Sequence, residues 1–197
     1  MTAVLFIHPF SCKIVHMIKK WTKLKSDQAG DHHIFTIRQD TCQSPRTGQQ
    51  HRFIVLDMPN WVNVIALTPE QKVVLIHQYR HGTEAIALEI PGGIVDEGEE
   101  AIEAAVRELR EETGYEAEEW IHIGTVDPNP AFLSNRCDTF LALNASRVSD
   151  PQFDDTEDIA VAEAPIAEIP QMIQSGQITH ALVIAAFYHF ERYLSAA

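Results

Sequence analysis

The sequence predicts an α/β (α+β) fold on three observations: strand-like runs fill residues 21 to 93, an amphipathic helix follows, and the chain closes on a long apolar helix. About 45% of the 197 residues are apolar, enough for one substantial core and a small accessory layer. From Trp21 to Met58 the runs WTKLKS, IFTIRQD and HRFIVLD read as short strands, separated by the turn-forming stretches DQAGD and SPRTGQ. Three strands cannot bury a face by themselves, so this sheet must lie on something larger or on a second subunit. Next, WVNVIALT and KVVLIHQYR, joined by PEQ, read as a hairpin of well-buried strands, and ALEIPGG closes the strand run at a glycine pair.

The helix predicted from Glu99 to Thr113 carries an apolar stripe of Ile102, Ala105, Val106 and Leu109, and Gly114 stands as its stop. After it, IHIGTVD and DTFLALN are strand candidates flanking the loop PNPAFLSNR. The acidic loop SDPQFDDTED leads into a last strand at IAVAEA, and ITHALVIAAFYHFERYL reads as a helix buried through Ala181, Ile184, Ala185, Phe187 and Tyr188. Three segments result: residues 1–16 as an extension with no assigned role, 17–58 as a β-sheet accessory or dimerisation region, and 59–197 as the main domain. Met17 offers an alternative start.

Fifteen Lys and Arg against 28 Asp and Glu leave a net charge of -13, which argues against a nucleic-acid partner. A phosphate-bearing substrate would have to arrive with cations or meet local arginines. Cys12, Cys42 and Cys137 are odd in number and lack CxxC spacing, so neither a disulfide framework nor a zinc site is expected, and a cytoplasmic setting fits. The apolar opening MTAVLFIHPF is too short to span a bilayer, and its lysines follow it instead of preceding it. No membrane association is expected.

At 100° per residue Glu108, Glu111 and Glu112 fall on one helix face. Like charges so close disfavour a helix unless something positive sits between them, and carboxylate oxygens are the ligands that hard cations prefer. Glutamate-rich helices are also common as solvated faces. Here, however, Gly93, Glu99, Arg107, Glu108, Glu111, Glu112 and Gly114 stand at the fixed offsets of the Nudix signature. If each type fills roughly one position in fifteen, chance gives such a match in about one chain of this length in a million.

The chain therefore resembles the Nudix hydrolases, departing from their box softly at Tyr115, where an aliphatic residue is usual. The resemblance implies the Nudix fold, a mixed β-sheet sandwiched between helices, here with an N-terminal antiparallel accessory sheet. It implies Glu108, Glu112 and Glu111 as metal ligands, with the Gly92 carbonyl completing the shell. Arg107 would orient the glutamates and Glu99 would support the loop and helix. Mg²⁺ is the implied cofactor, with Mn²⁺ able to substitute, and a general base would come from outside the box. Glu157, in TEDI, resembles the catalytic-loop glutamate of ADP-ribose pyrophosphatases; a plain solvated acidic loop is the alternative.

HQYR before the box, LEIPGG leading into it, Pro130 at 15 residues after Tyr115, and GQITHALVIAAF resemble the ADP-ribose pyrophosphatase and nucleotide-sugar branch. That likeness implies hydrolysis of nucleoside diphosphate sugars of the ADP-ribose, GDP-mannose or UDP-glucose type to a nucleoside monophosphate and a sugar phosphate. It further implies a homodimer through the N-terminal sheet. Arg80 would contact the diphosphate, Glu89 would face the metal or substrate side, and Phe132 and Asn135 would belong to a substrate loop. Trp61 or Phe35 could stack on a nucleobase, although both are commonly core residues. No motif position claims His77, His81 or His180. Two alternatives stay open: a Nudix diphosphatase acting on NADH, coenzyme A or nucleoside triphosphates, and a non-catalytic nucleotide-sugar sensor.

Overall fold

The computed structural model describes residues 18–153 and 158–196; the N-terminal extension and Glu157 lie outside the described residues. Three antiparallel strands come first, β1 (Thr22–Asp31), β2 (Thr36–Gln43) and β3 (Gln50–Asp57), in the order β1-β2-β3. Their chief polar anchor is the buried carboxylate of Asp40, which accepts hydrogen bonds from Ser26, Lys23 and Arg38. Strand β1 is exposed along nearly its whole length, and Trp21, Leu24, Phe53 and Ile54 present apolar surface on this sheet.

Beyond it run β4 (Trp61–Ala66), β5 (Lys72–Arg80), β6 (Ala85–Glu89), α1 (Ala101–Thr113), β7 (Tyr115–Glu116), β8 (Glu119–Val126), β9 (Cys137–Leu143), β10 (Ser146–Arg147), β11 (Ile159–Pro165), α2 (Ile169–Gln174) and α3 (Ala181–Leu194). One sheet has the order β4-β9-β8, with β4 and β9 parallel; another, antiparallel throughout, has the order β11-β5-β6. Because side chains alternate along a strand, β4 serves both layers. Val62, Val64 and Ala66 pack with Ala104, Ala105 and Leu109 of α1, whereas Ile65 joins the core with Val183, Ala186, Phe187 and Phe190 of α3. Each fully buried aliphatic side chain here contributes about 1.5–3 kcal/mol relative to exposure. The expected mixed sheet between helices is the architecture found.

Three sequence expectations are corrected. Strands β4 and β5 do not form a hairpin; they share one isolated bridge, Leu67 to Val73. The edge of β4 that a hairpin would use is occupied by residues 91–93, through Val62 N–H to Gly93 O, Gly93 N–H to Val62 O and Val64 N–H to Pro91 O. On α1 the buried side runs through Ala104, Ala105 and Leu109, and Val106 is 41% exposed. Helix α3 buries Val183, Ala186, Phe187 and Phe190, leaving Ile184 at the surface and Tyr188 61% exposed. The short helix α2, with Pro170 in its first turn, where a missing N–H costs nothing, has no counterpart in the sequence reading.

Candidate active site

Helix α1 begins at a reciprocal capping box, in which the Glu100 side chain accepts from the N3 backbone and Glu103 Oε2 accepts from Glu100 N–H. It stops at Gly114, whose φ of 74° a side-chain-bearing residue rarely adopts, with Gly114 N–H bonded to Arg110 O. These ends fix the rotation of the helix, and that rotation carries Glu108 and Glu112 inward to 8% and 3% exposure. Residues 91–93, held on β4, pass over them. Gly92 N–H donates to Glu112 Oε2 at 2.9 Å, and a Cβ on Gly93 would stand 2.2 Å from Glu108 Oε1. A side chain there would have to push the Glu108 carboxylate aside. The glutamate face is thus roofed by backbone, closer to the core than a solvated face would be.

Arg107 organises the acidic groups. It bonds both oxygens of Glu99 at 3.0 and 2.9 Å, Glu108 Oε1 at 2.8 Å, Glu111 Oε2 at 3.2 Å and the Ile94 carbonyl at 2.9 Å. The hydrogen bond to Glu99 is the largest influence on its ionisation, and with Glu108 and Glu111 it holds the proton more tightly than usual against the cost of burial. Glu99 is in turn held below the usual carboxylate range, first by Arg107, and closes its own turn by accepting Asp96 N–H at 3.0 Å. A single guanidinium thereby aligns three carboxylates, which lowers the repulsion inherent in the pattern.

Arg80 and Glu89 form a second unit. Glu89 is 2% exposed and accepts two parallel hydrogen bonds from Arg80, at 2.9 and 2.8 Å. His180 Nδ1 lies 3.0 Å from the same Oε2, without hydrogen-bond alignment. Burial disfavours ionisation of Glu89, but the Arg80 bonds and the His180 contact outweigh it and hold the carboxyl at about 2. Arg80 stands between two clefts. One, of about 590 Å³, is lined by Glu108, Glu111, Glu112, Arg107, Gln152 and Phe153; the other, of about 350 Å³, by Trp61, Asn63, Glu89, His180 and Leu182. Both are walled by Arg80, Gly92, Gly93 and Ile94.

The structure brings together Arg80, Glu89, Gly92, Arg107, Glu108, Glu111 and Glu112. It does not bring Phe132 and Asn135 to either cleft. Their loop packs on the N-terminal sheet, where Leu56 N–H bonds Phe132 O and the Asn135 amide bonds Pro59 O at 3.0 Å. Gln152, Phe153 and Asn63 are lining residues to which the sequence assigned no role, and Leu182 lines its pocket from within GQITHALVIAAF. Phe35 packs on His32, outside both clefts.

The residues fit a hard divalent cation by their chemistry: three carboxylates face one cleft, and no donor among the described residues reaches the Gly92 carbonyl, whereas those of Pro91 and Gly93 are taken by β4. As they stand, the side chains are turned to protein partners, and among the described residues no three acidic, His or Cys groups form a ready cage. Arg107 engages one oxygen of Glu108 and one of Glu111.

A family profile described as the NUDIX domain matches residues 59–187. The chain is a Nudix hydrolase. It is 28% identical over 169 residues to a methanol dehydrogenase activator of Bacillus methanolicus, covering 85% of this chain and 91% of that protein. It is 30% identical over 154 residues to an ADP-ribose pyrophosphatase of Mycobacterium tuberculosis, covering 77% and 74%. Among solved structures, an ADP compounds hydrolase superposes with a TM-score of 0.81 over 92% of this chain and 97% of the other, at 21% identity, a likeness of fold. Nudix hydrolases generally use divalent metal ions. Among the described residues no helix of this Nudix hydrolase is long and apolar enough to cross a membrane.

Proposed function

We propose that this Nudix hydrolase cleaves the diphosphate bond of nucleoside diphosphate sugars, ADP-ribose first among them, in a Mg²⁺-dependent reaction. The observation that carries the reading is the position of Arg80, a guanidinium pinned by a buried carboxylate between an acidic cleft and a second pocket. A two-part substrate suits that arrangement, with its diphosphate at the junction and one of its halves in the pocket of Trp61, Asn63 and His180. The relatives named as ADP-ribose pyrophosphatases support the same substrate class.

Glu108, Glu112, Glu111 and the Gly92 carbonyl would hold the cation. When bound, the cation neutralises the diphosphate and acts as Lewis acid toward it. Arg107 keeps the glutamates aligned, and Arg80 balances phosphate charge. Glu157 accepts the proton of the attacking water; the water oxygen bonds to phosphorus, the bridging P–O bond breaks, and a nucleoside monophosphate and a sugar 1- or 5-phosphate leave. Residues 17–58 serve as an accessory region whose exposed apolar sheet, with Trp21, Leu24, Phe53 and Ile54, pairs with a second copy. The protein works in the cytoplasm.

The test is incubation with ADP-ribose, GDP-mannose, UDP-glucose, NADH and dNTPs plus Mg²⁺, with chromatography of the products. Turnover of ADP-ribose or another nucleotide sugar is expected; turnover of dNTPs alone would overturn the reading. Light scattering on the eluting protein tests the dimer.

A further inference from the structure

We propose that His180 is a specificity-determining residue whose Nε2 accepts a hydrogen bond from a sugar hydroxyl beside the substrate's diphosphate. The proposal rests on the nucleotide-sugar reading above. His180 is the residue before α3, and its carbonyl accepts Ile184 N–H at 3.0 Å to open that helix. Ile178, two residues earlier, is 1% exposed. Asn63 of β4 donates at 3.2 Å to the Leu182 carbonyl and ties the first turn of α3 to the sheet. The backbone carrying the ring is thus held on both sides.

Glu89 sets which ring nitrogen carries hydrogen. Arg80 donates to both oxygens of Glu89, which makes the carboxylate an ionised group that can only accept. His180 Nδ1 is buried 3.0 Å from Oε2 of that carboxylate. A bare lone pair there would face a negative oxygen, whereas an N–H is attracted to it even off the ideal hydrogen-bond line. Nδ1 therefore takes the proton, and the neutral ring keeps Nε2 as an acceptor. No described residue hydrogen-bonds to Nε2, yet the side chain is 39% exposed and lines the pocket of about 350 Å³ with Trp61, Asn63 and Arg80.

An acceptor in that place selects its ligand. Diphosphate oxygens bring it no hydrogen and an apolar group leaves it unpaired, but a hydroxyl satisfies it. Because Arg80 walls both clefts, a diphosphate held on it sends its neighbouring group into the pocket. In a nucleoside diphosphate sugar that neighbour is a sugar whichever way the molecule lies. Glu89 then serves both parts of the substrate, the diphosphate through Arg80 and the sugar through His180.

Asparagine places its amide nitrogen near the Nδ1 position, and glutamine places its amide near Nε2. With ADP-ribose, His180→Asn should raise KM about tenfold and keep kcat within about twofold, whereas His180→Gln should stay within about threefold of wild type. A residue that only held Glu89 would give the opposite order, and that order, or equal impairment of the two variants, would overturn the proposal. Among ADP-ribose analogues each lacking one sugar hydroxyl, at least one should lose about tenfold in kcat/KM on wild type and less than about twofold on His180→Asn. Equal losses on both proteins for every analogue would count against it. Nitrogen-15 NMR of the histidine rings, with His180→Asn identifying the signal, reads the site without turnover. Under mildly alkaline conditions His180 should carry its proton on Nδ1, and its Nε2 signal should move when ADP-ribose is added after chelation. A proton on Nε2, or a signal that ADP-ribose leaves in place, would overturn the proposal. If no nucleotide sugar is turned over, the functional reading fails separately, and the same spectrum still decides the role of His180.

Discussion

Gly93→Ala separates the site from the fold. A Cβ at this position would stand 2.2 Å from Glu108 Oε1, 2.4 Å from its Cδ and 2.8 Å from Oε2. Ordinary contacts lie near 3.5 Å, so the carboxylate must retreat by about 1 Å. That retreat breaks the 2.8 Å bond between Arg107 and Glu108 and moves a proposed metal ligand off its place. The intruded group is the free end of a flexible side chain, so the fold yields at a cost of about 1 kcal/mol. The chemistry is less forgiving: a 1 Å misplacement costs about a hundredfold in rate, equivalent to about 2.7 kcal/mol of transition-state stabilisation. Initial rates of ADP-ribose hydrolysis across a Mg²⁺ series, set beside thermal melts followed by circular dichroism, measure both quantities. The expected result is a near-native melt with kcat down about a hundredfold. Rates and Mg²⁺ dependence within about twofold of wild type would refute the geometry.

Gly92→Ala should do the reverse. There the new Cβ meets Val62 O at 2.2 Å, backbone of β4 that cannot withdraw from its pairing with β9, so about 2 kcal/mol of stability and about 4–8 °C of Tm should be lost; an unchanged Tm would contradict this. Glu89 makes stability depend on acid pH. Its carboxyl is depressed from 4.5 to about 2, so its contribution is complete above pH 4.5 and is lost as pH falls toward 2. In urea titrations the stability gap between wild type and Glu89→Gln should narrow over that range, and a constant gap would remove the Arg80–Glu89 unit as its source.

The acidic helix and the strand runs could be read from sequence because their signals are local: period, caps and a fixed motif. The β4–β5 error arose because β4 takes its partners from β9 and from residues 91–93, and two adjacent apolar runs carry no record of which edge is already occupied. The misplaced face of α1 has a similar cause. Val106 and Ala104 both suit a buried position by polarity, and the choice between them is set by the inward turn of Glu108 and Glu112 beneath residues 91–93. Sequence marks Arg80 and Glu89 separately; their bidentate union needs the register of β5 on β6, which pairs Arg80 with Ala85 and leaves Glu89 opposite Ile76. Gln152 and Phe153 left no signal, since they reach the cleft through a backbone bond to Glu111.

The most direct test of the glutamate face as a metal-dependent hydrolytic centre is ADP-ribose turnover by wild type and Glu112→Gln, with Mg²⁺ and after chelation. Wild type should yield AMP and ribose 5-phosphate only with the cation present, and Glu112→Gln, folded by circular dichroism, should lose at least about a thousandfold in kcat. Wild-type rates in Glu112→Gln, or undiminished turnover after chelation, would contradict the account.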